Sequence, residues 1–269
     1  MKLFAVLGNP IAHSLSPLMH NNANAVLGNE GVYTRIKVER CDDLRACFEA
    51  NNLHGANITV PCKEMAFAQS DQVCGIAQQI GAVNAWVVVN GKLLGYNTDA
   101  PGFMESIAHI GKPNNTLILG AGGTARAIAI AFKQAGYRFT VLNRSCDRLD
   151  FFARAGIKTA QWHNMPQEDF DLIINTTSAG LIGDDLPLEA EALSGYLSSA
   201  VYAVDVIYGK KTPFLQLAEE LGIKTQDGLQ MLIAQGAHAY ELFFPNSDRA
   251  AVAAAMRQAL SLPKEIQWH

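Results

Sequence analysis

The sequence predicts an α/β protein of two domains, each built on a mostly parallel sheet covered by helices. Three observations predict it. Short apolar runs rich in β-branched residues alternate with helical stretches almost throughout. The chain restarts after the polar segment Gly111-Lys112-Pro113-Asn114-Asn115. In the second half a strand runs into a glycine turn and then a long Ala-rich helix. The chain of 269 residues is 49% hydrophobic and 17% charged, which is enough apolar material for two buried cores.

The strands expected first are Leu3–Leu7, Val32–Val38, Ala56–Val60 and Ala85–Val89, with helices at Pro17–Leu27 and Asp42–Asn51 between them. Ser16 before Pro17 fits a helix cap with proline in the first turn. The second series of strands is Thr116–Leu119, Phe139–Leu142, Leu172–Asn175 and Val201–Val206. The chain from about Ala234 is helical and has no strand of its own to cover, so it is free to return to the first domain. With the boundary at Asp99-Ala100-Pro101, residues 1–99 with 234–269 form one domain and 100–233 the other.

Bulk properties exclude several classes. The net charge is −4, which gives no electrostatic basis for a nucleic-acid partner. The apolar run Leu3–Leu7 is too short for a secretion signal, and no stretch approaches the ~20 residues of a membrane helix. Five cysteines without C-x-x-C spacing fit free thiols in a reducing cytoplasm, and no metal site is expected. His13 is expected in a turn and His20 on a helix, neither as a metal ligand.

Thr116–Leu119 leads into Gly120-Ala121-Gly122-Gly123-Thr124-Ala125, with G-x-G-x-x-A spacing. The first glycine makes the tight turn, the second admits a pyrophosphate to the backbone, and Ala125 lets helix and strand pack closely. The helix N-terminus adds free amide hydrogens and partial positive charge. This context predicts a Rossmann-type dinucleotide domain. An NAD site would place an acidic residue after the next strand; here stand Asn143, Arg144, Ser145 and Arg148. Two guanidiniums and a hydroxyl suit a 2′-phosphate, so the expected cofactor is NADP. Asp147, between the arginines, is able to pair with either.

The other candidates lie on polar segments at strand ends of the first domain, where ligands of parallel sheets bind. Ser14 and Ser16 lie at a helix start, where two hydroxyls can hold a carboxylate; an ordinary helix cap is the simpler role for Ser16 alone. Thr59 and Lys63 follow one strand, and Asn84 and Asp99 stand in Gly81–Asn84 and Gly95–Asp99.

The ordered set H-S-L-S-P, N-I-T-V-P-C-K, G-A-V-N, N-T-D, G-A-G-G-T-A-R-A, N-R-S, N-T-T-S and Q-D-G-L-Q-M-L-I-A-Q, from Gly8 to Gln235, resembles the shikimate dehydrogenase family. The resemblance implies an N-terminal substrate domain, a C-terminal NADP domain, a last helix returning to the first, and reduction of 3-dehydroshikimate to shikimate. It implies that Ser14 and Ser16 hold the substrate carboxylate, and that Thr59, Lys63, Asn84, Asp99 and Gln235 contact ring hydroxyls and the reacting oxygen, with Tyr208 beside them. On the cofactor side it adds Thr177, Ser178, Val206 and Gly228. Cys62 replaces a common aromatic residue, Ala85 a threonine and Leu181 a methionine, and the loop Tyr208–Pro213 is about one residue short. Beside Lys63, Cys62 fits a small apolar filler better than a reactive thiol.

Hydride addition to a ketone leaves charge on oxygen, so a proton must arrive there. Lys63 is the expected acid/base and Asp99 its orienting partner. The rival readings are a quinate/shikimate dehydrogenase with broader substrate or NAD use, a methylenetetrahydrofolate dehydrogenase, and a non-catalytic sensor of NADP and a small ligand. Ser14, Ser16 and Gln235 favour the shikimate substrate, and the presence of Lys63 and Asp99 disfavours the sensor. The expected protein is a cytoplasmic monomer or homodimer acting on a small molecule.

Overall fold

The computed structural model describes residues 1–261. They divide into two compact units, Met1–Gly102 together with the described chain from Ile233, and Phe103–Leu232.

In the first unit the order is β1 (Lys2–Gly8), α1 (Ser16–Leu27), β2 (Gly31–Lys37), a 3₁₀ turn (Cys41–Asp43), α2 (Leu44–Ala50), β3 (Gly55–Ile58), α3 (Lys63–Gln69), β4 (Gln72–Val73), α4 (Ala77–Ile80), β5 (Ala85–Val89) and β6 (Lys92–Tyr96). The sheet order is β2-β1-β3-β5-β6-β4. Strands β1, β2 and β3 are parallel, whereas β5 runs antiparallel to both β3 and β6. The carboxyl ends of β1, β3 and β6 therefore share one edge with the amino end of β5. Alternate residues of β1 feed opposite cores. Ala5 and Leu7 pack with Phe48, Ile58 and Trp86, while Phe4 and Val6 pack with Tyr33, Ala239 and Phe243.

Helix α5 (Asp99–Ser106) begins in the first unit and ends in the second. The second unit continues with β7 (Thr116–Leu119), α6 (Gly123–Gln134), β8 (Phe139–Asn143), α7 (Asp150–Arg154), β9 (Thr159–Gln161), β10 (Leu172–Asn175), α8 (Ala190–Leu197), β11 (Tyr202–Asp205), α9 (Pro213–Glu220) and β12 (Lys224–Gln226). Its sheet is wholly parallel, in the order β12-β11-β10-β7-β8-β9. This doubly wound order reverses direction between β7 and β10, where such sheets open a crevice for a dinucleotide. Every residue of β7 and β10 is buried, as expected of strands covered on both faces.

Helix α10 (Leu229–Phe243) leads back into the first unit, where α11 (Arg249–Ser261) packs on α1; Asn22 Nδ2 donates to the Ala255 carbonyl at 2.7 Å. The last eight residues of the expected first domain lie outside the described residues.

Two sequence-based expectations are corrected. Ser16 is not the cap of α1: Leu15 holds that position and makes no side-chain cap, and Ser16 is already helical. The cysteines are not all free, because Cys41 and Cys62 form a disulfide, leaving Cys47, Cys74 and Cys146 as thiols. The 3₁₀ turn after β2 meets the start of α3, a contact between segments 21 residues apart that no local spacing announces.

Candidate active site

In the first unit, β3 ends at Ile58 and the chain turns through Thr59 and Cys62 into α3, whose first residue is Lys63. The turn is held by Thr59 N–H to the Leu7 carbonyl (2.9 Å) and Cys62 N–H to the Thr59 carbonyl (3.0 Å). Gly8, at the end of β1, lies flush against it: a Cβ there would collide with the Thr59 methyl and the Val60 carbonyl. Asn84 precedes β5 and so stands at that strand's amino end, between the ends of β3 and β6. Its N–H donates to the Tyr96 carbonyl (3.0 Å) and its carbonyl accepts from Ile58 N–H (2.8 Å). After β6, Asn97 accepts from Ala100 N–H (3.2 Å) and starts α5 at Asp99.

These constraints bring Lys63, Asn84, Thr98 and Asp99 together, all buried. Lys63 Nζ donates to Asp99 Oδ2 at 2.5 Å, and Asn84 Nδ2 donates to Asp99 Oδ1 at 2.8 Å. Asn84 is fixed in turn by Thr98, whose N–H donates to Asn84 Oδ1 at 2.7 Å. Both carboxylate oxygens of Asp99 thus accept hydrogen bonds, which a buried ion pair needs to offset lost hydration.

The same edge carries the serines. Ser14 and Ser16 are both buried, Ser14 Oγ donates to Ser16 Oγ (3.2 Å) and accepts from Ser16 N–H (3.3 Å). Gln235 lies on α10 against Gly102, one turn beyond Asp99, where a Cβ would come within 2.6 Å of the Gln235 nitrogen. Beneath the site the His20 ring stacks on Tyr33 at 4.2 Å, and Tyr33 donates its hydroxyl to Asn57 Oδ1 (2.8 Å). Burial pushes the His20 imidazole down to about 3, so it is neutral at pH 7. His13 is exposed.

The expected cofactor residues, with Tyr208, all lie in the second unit and cluster at carboxyl ends of its strands. Gly120 has φ +107°, and a Cβ on it would meet Thr176 Oγ1 at 2.7 Å, so this position requires glycine. Gly122 is the cap residue of α6, and a Cβ there would meet nothing within 4 Å. The turn is therefore open at Gly122, with Gly123 and Thr124 opening the helix behind it. Ala121 and Ala125 are buried, Ala125 completely.

After β8, Asn143 Nδ2 donates to the Ser145 carbonyl (3.0 Å) and shapes the exposed loop carrying Arg144, Ser145 and Arg148. Among the described residues Asp147 makes no ion pair with either arginine. The Arg144 guanidinium lies 5.8 Å from the Trp162 ring centre, a cation–π contact that leaves its hydrogen-bond donors available.

Sequence reasoning missed what shapes the loops after β10 and β11. Asp205 is fully buried and accepts from Asn175 Nδ2 (3.0 Å), Thr212 Oγ1 (2.7 Å) and Ile207 N–H (2.9 Å). Burial raises its carboxyl above the ordinary range, and those three hydrogen bonds oppose the rise. Asn175 Oδ1 also accepts from Thr177 N–H (3.0 Å) and Thr177 Oγ1 (2.7 Å), which places Thr177 and Ser178. Gly228 abuts the Val206 carbonyl too closely for any Cβ, and its N–H donates to the Ile207 carbonyl. The available signal was an Asn and an Asp each closing an apolar strand, where a solvated charge is not expected.

Residues 6–86 match the family model of the shikimate dehydrogenase substrate binding domain. A shikimate dehydrogenase (NADP(+)) of Helicobacter hepaticus is 47% identical over 242 residues, covering 89% of this chain and 90% of that protein. The chain belongs to the shikimate dehydrogenase family. It is accordingly an NADP-dependent oxidoreductase with a small-molecule substrate. The shikimate 5-dehydrogenase of Thermus thermophilus, solved in complex with NADP(H) and shikimate, matches with a TM-score of 0.83 and 38% identity, covering 96% of this chain and 100% of that one. The shikimate dehydrogenase of Aquifex aeolicus matches with a TM-score of 0.84 and 33% identity, over 96% and 98% of the two chains.

Proposed function

We propose that this chain catalyses the reversible, NADPH-dependent reduction of 3-dehydroshikimate to shikimate, with Lys63 and Asp99 as its acid/base pair. The observation that carries the assignment of roles is the buried Lys63–Asp99 contact of 2.5 Å, braced by Asn84, on the edge that also bears Ser14, Ser16 and Thr59. Ser14 and Ser16 bind the substrate carboxylate, and Thr59, Asn84 and Gln235 its ring hydroxyls. NADP, when bound, supplies the hydride donor and acceptor chemistry.

Lys63 donates a proton to the carbonyl oxygen as charge develops there, and in the oxidative direction it takes that proton back. Asp99 acts on Lys63, holding the ammonium in place, while Asn84 keeps the second carboxylate oxygen occupied. The protons belong to the pair, which titrates as one unit. Gly120, Ala121, Gly122, Gly123, Thr124 and Ala125 hold the pyrophosphate, and Asn143, Arg144, Ser145 and Arg148 the 2′-phosphate. Thr177, Ser178, Val206 and Gly228 line the rest of the dinucleotide site. The open face at Gly122 and the available donors of Arg144 fit that group. The protein works in the cytoplasm as a monomer or homodimer; among the described residues no helix is long and apolar enough to cross a membrane, and no His/Cys/Asp/Glu group could hold a metal.

The test is absorbance at the reduced-nicotinamide band with shikimate or quinate, each with NADP or NAD. Turnover with shikimate and NADP at least tenfold faster than in the other three mixtures is expected. Comparable turnover with quinate or NAD would replace the proposal with the broader quinate/shikimate activity.

A further inference from the structure

The disulfide lies next to the proposed acid/base. Cys62 is the residue capping α3, and Lys63 is that helix's first residue. Cys62 is fully buried, whereas Cys41 is half-buried at the start of the 3₁₀ turn. The bond thus ties the peptide between Thr59 and Lys63, both proposed substrate contacts, to a neighbouring turn. Neither cysteine has a part in the reaction described above.

The two ends of α3 are fastened differently. At the far end, Gln69 accepts from Arg45 N–H through Oε1 (2.9 Å) and from Arg45 Nη1 through its carbonyl (3.0 Å), and its Nε2 donates to the Asp42 carbonyl (2.9 Å). Arg45 is itself held by Asp71 at 2.7 Å. These bonds survive if the disulfide opens. At the near end the link from α3 to the same 3₁₀ turn is the disulfide. Opening it removes that link beside Lys63, where the Val83 N–H to Lys63 carbonyl bond (2.9 Å) remains, and leaves the Gln69 end fully anchored.

We propose that Cys41–Cys62 is a reversible redox site that positions Lys63, the bonded form being the faster enzyme. The inference rests on Lys63 as the acid/base. In the proposed reducing cytoplasm a disulfide with one partly exposed cysteine meets dithiol reductants, and a bond that they open cycles rather than standing as a permanent staple. A dithiol thiolate attacks Sγ of Cys41, the less buried of the two cysteines, the S–S bond breaks, and Cys62 leaves as thiolate and takes a proton. The second thiol of the reductant then closes on the mixed disulfide and releases Cys41 as a thiol. Two electrons pass to the protein and the dithiol becomes a cyclic disulfide; a small-molecule disulfide such as oxidised glutathione reverses the change.

The experiment compares purified protein before and after dithiothreitol, counting thiols by alkylation and mass, and measuring kcat and KM for shikimate and NADP. The bonded form should show three alkylatable thiols in denaturant and the reduced form all five. Reduction should lower kcat about three- to tenfold by loosening a positioned group, with KM for NADP unchanged. Oxidised glutathione should restore the rate. Cys41→Ser should run at the reduced rate with or without dithiothreitol, and the wild-type comparison stands even if that variant folds poorly. The residual rate of Lys63→Ala should not respond to dithiothreitol. A residual rate that falls as the wild type's does would show that the bond acts elsewhere than Lys63, whereas near-normal turnover of Lys63→Ala would instead fault the acid/base assignment. Five thiols before reduction, or equal kcat in the two forms, would overturn the proposal.

Discussion

The two candidate sites are prepared in different ways. In the first unit the proposed acid/base pair, its braces and the two serines are buried and already bonded: Lys63 to Asp99, Asp99 to Asn84, Asn84 to Thr98, Ser14 to Ser16. The residues expected to select the cofactor in the second unit, Arg144, Ser145 and Arg148, are exposed, on a loop shaped by one Asn143 bond and a ring contact. The difference follows the chemistry. A proton must be delivered to one atom, which requires donors fixed before the substrate arrives. A 2′-phosphate carries its own charge and can gather flexible guanidiniums around itself.

If the contrast is sound, damage to the two sites should differ in kind. Asp99→Ala should have the largest effect apart from loss of Lys63 itself, because it removes the carboxylate that a buried ammonium faces. Its kcat should fall by roughly 10²–10⁴, and denaturant melts should show a loss of about 3–5 kcal/mol. Changing both Arg144 and Arg148 to Ala should instead raise KM for NADP by roughly 10²–10⁴-fold at unchanged kcat and Tm, since each removes a charged hydrogen bond of roughly 1.5–3 kcal/mol. NAD turnover should be unaffected. A fall in kcat without a change in KM would break the comparison.

Asn84→Ala tests the bracing of the pair and should lower kcat about tenfold, the scale of one hydrogen bond to a charged group. A kcat as low as that of Asp99→Ala would show that Asn84 does more than brace.

The smallest expected effect concerns the support under the substrate site. His20 titrates near 3 in the fold against 6.5 in the open chain, so the unfolded chain binds the extra proton first. Its contribution is present above pH 6.5 and is lost as pH falls from 6.5 toward 3, at about 1.4 kcal/mol per pH unit. His20→Phe, which keeps a ring against Tyr33, should flatten that part of the stability–pH curve while leaving kcat at pH 7 within about twofold. An unchanged curve would assign the acid sensitivity elsewhere.

What was legible in the sequence was whatever local pattern records. The strands Ala85–Val89, Thr116–Leu119 and Leu172–Asn175 have the expected limits, because unbroken apolar runs between polar turns leave little choice of boundary. The short strands β4, β9 and β12 were not anticipated: each has two or three residues and is only partly buried, so it carries no alternation to detect. Lys63, Asp99 and their pairing are legible through the motifs, but not the route by which the ends of β3 and β6 bring residues 36 apart into contact, nor the bracing by Asn84. The Asn175–Asp205–Thr212 network and the Cys41–Cys62 bond are of the same long-range kind. Serine's preference for the cap points to Ser16, yet α1 starts one residue earlier, because the Leu15 backbone begins the helix without a side-chain cap.

The most direct test is steady-state turnover of Lys63→Ala in both directions, with NADP affinity measured on the same preparation. A kcat lower by roughly 10²–10⁴ with NADP affinity unchanged is the predicted result. Near-normal kcat with unchanged substrate KM would contradict Lys63 as the acid/base and leave the buried pair a structural brace.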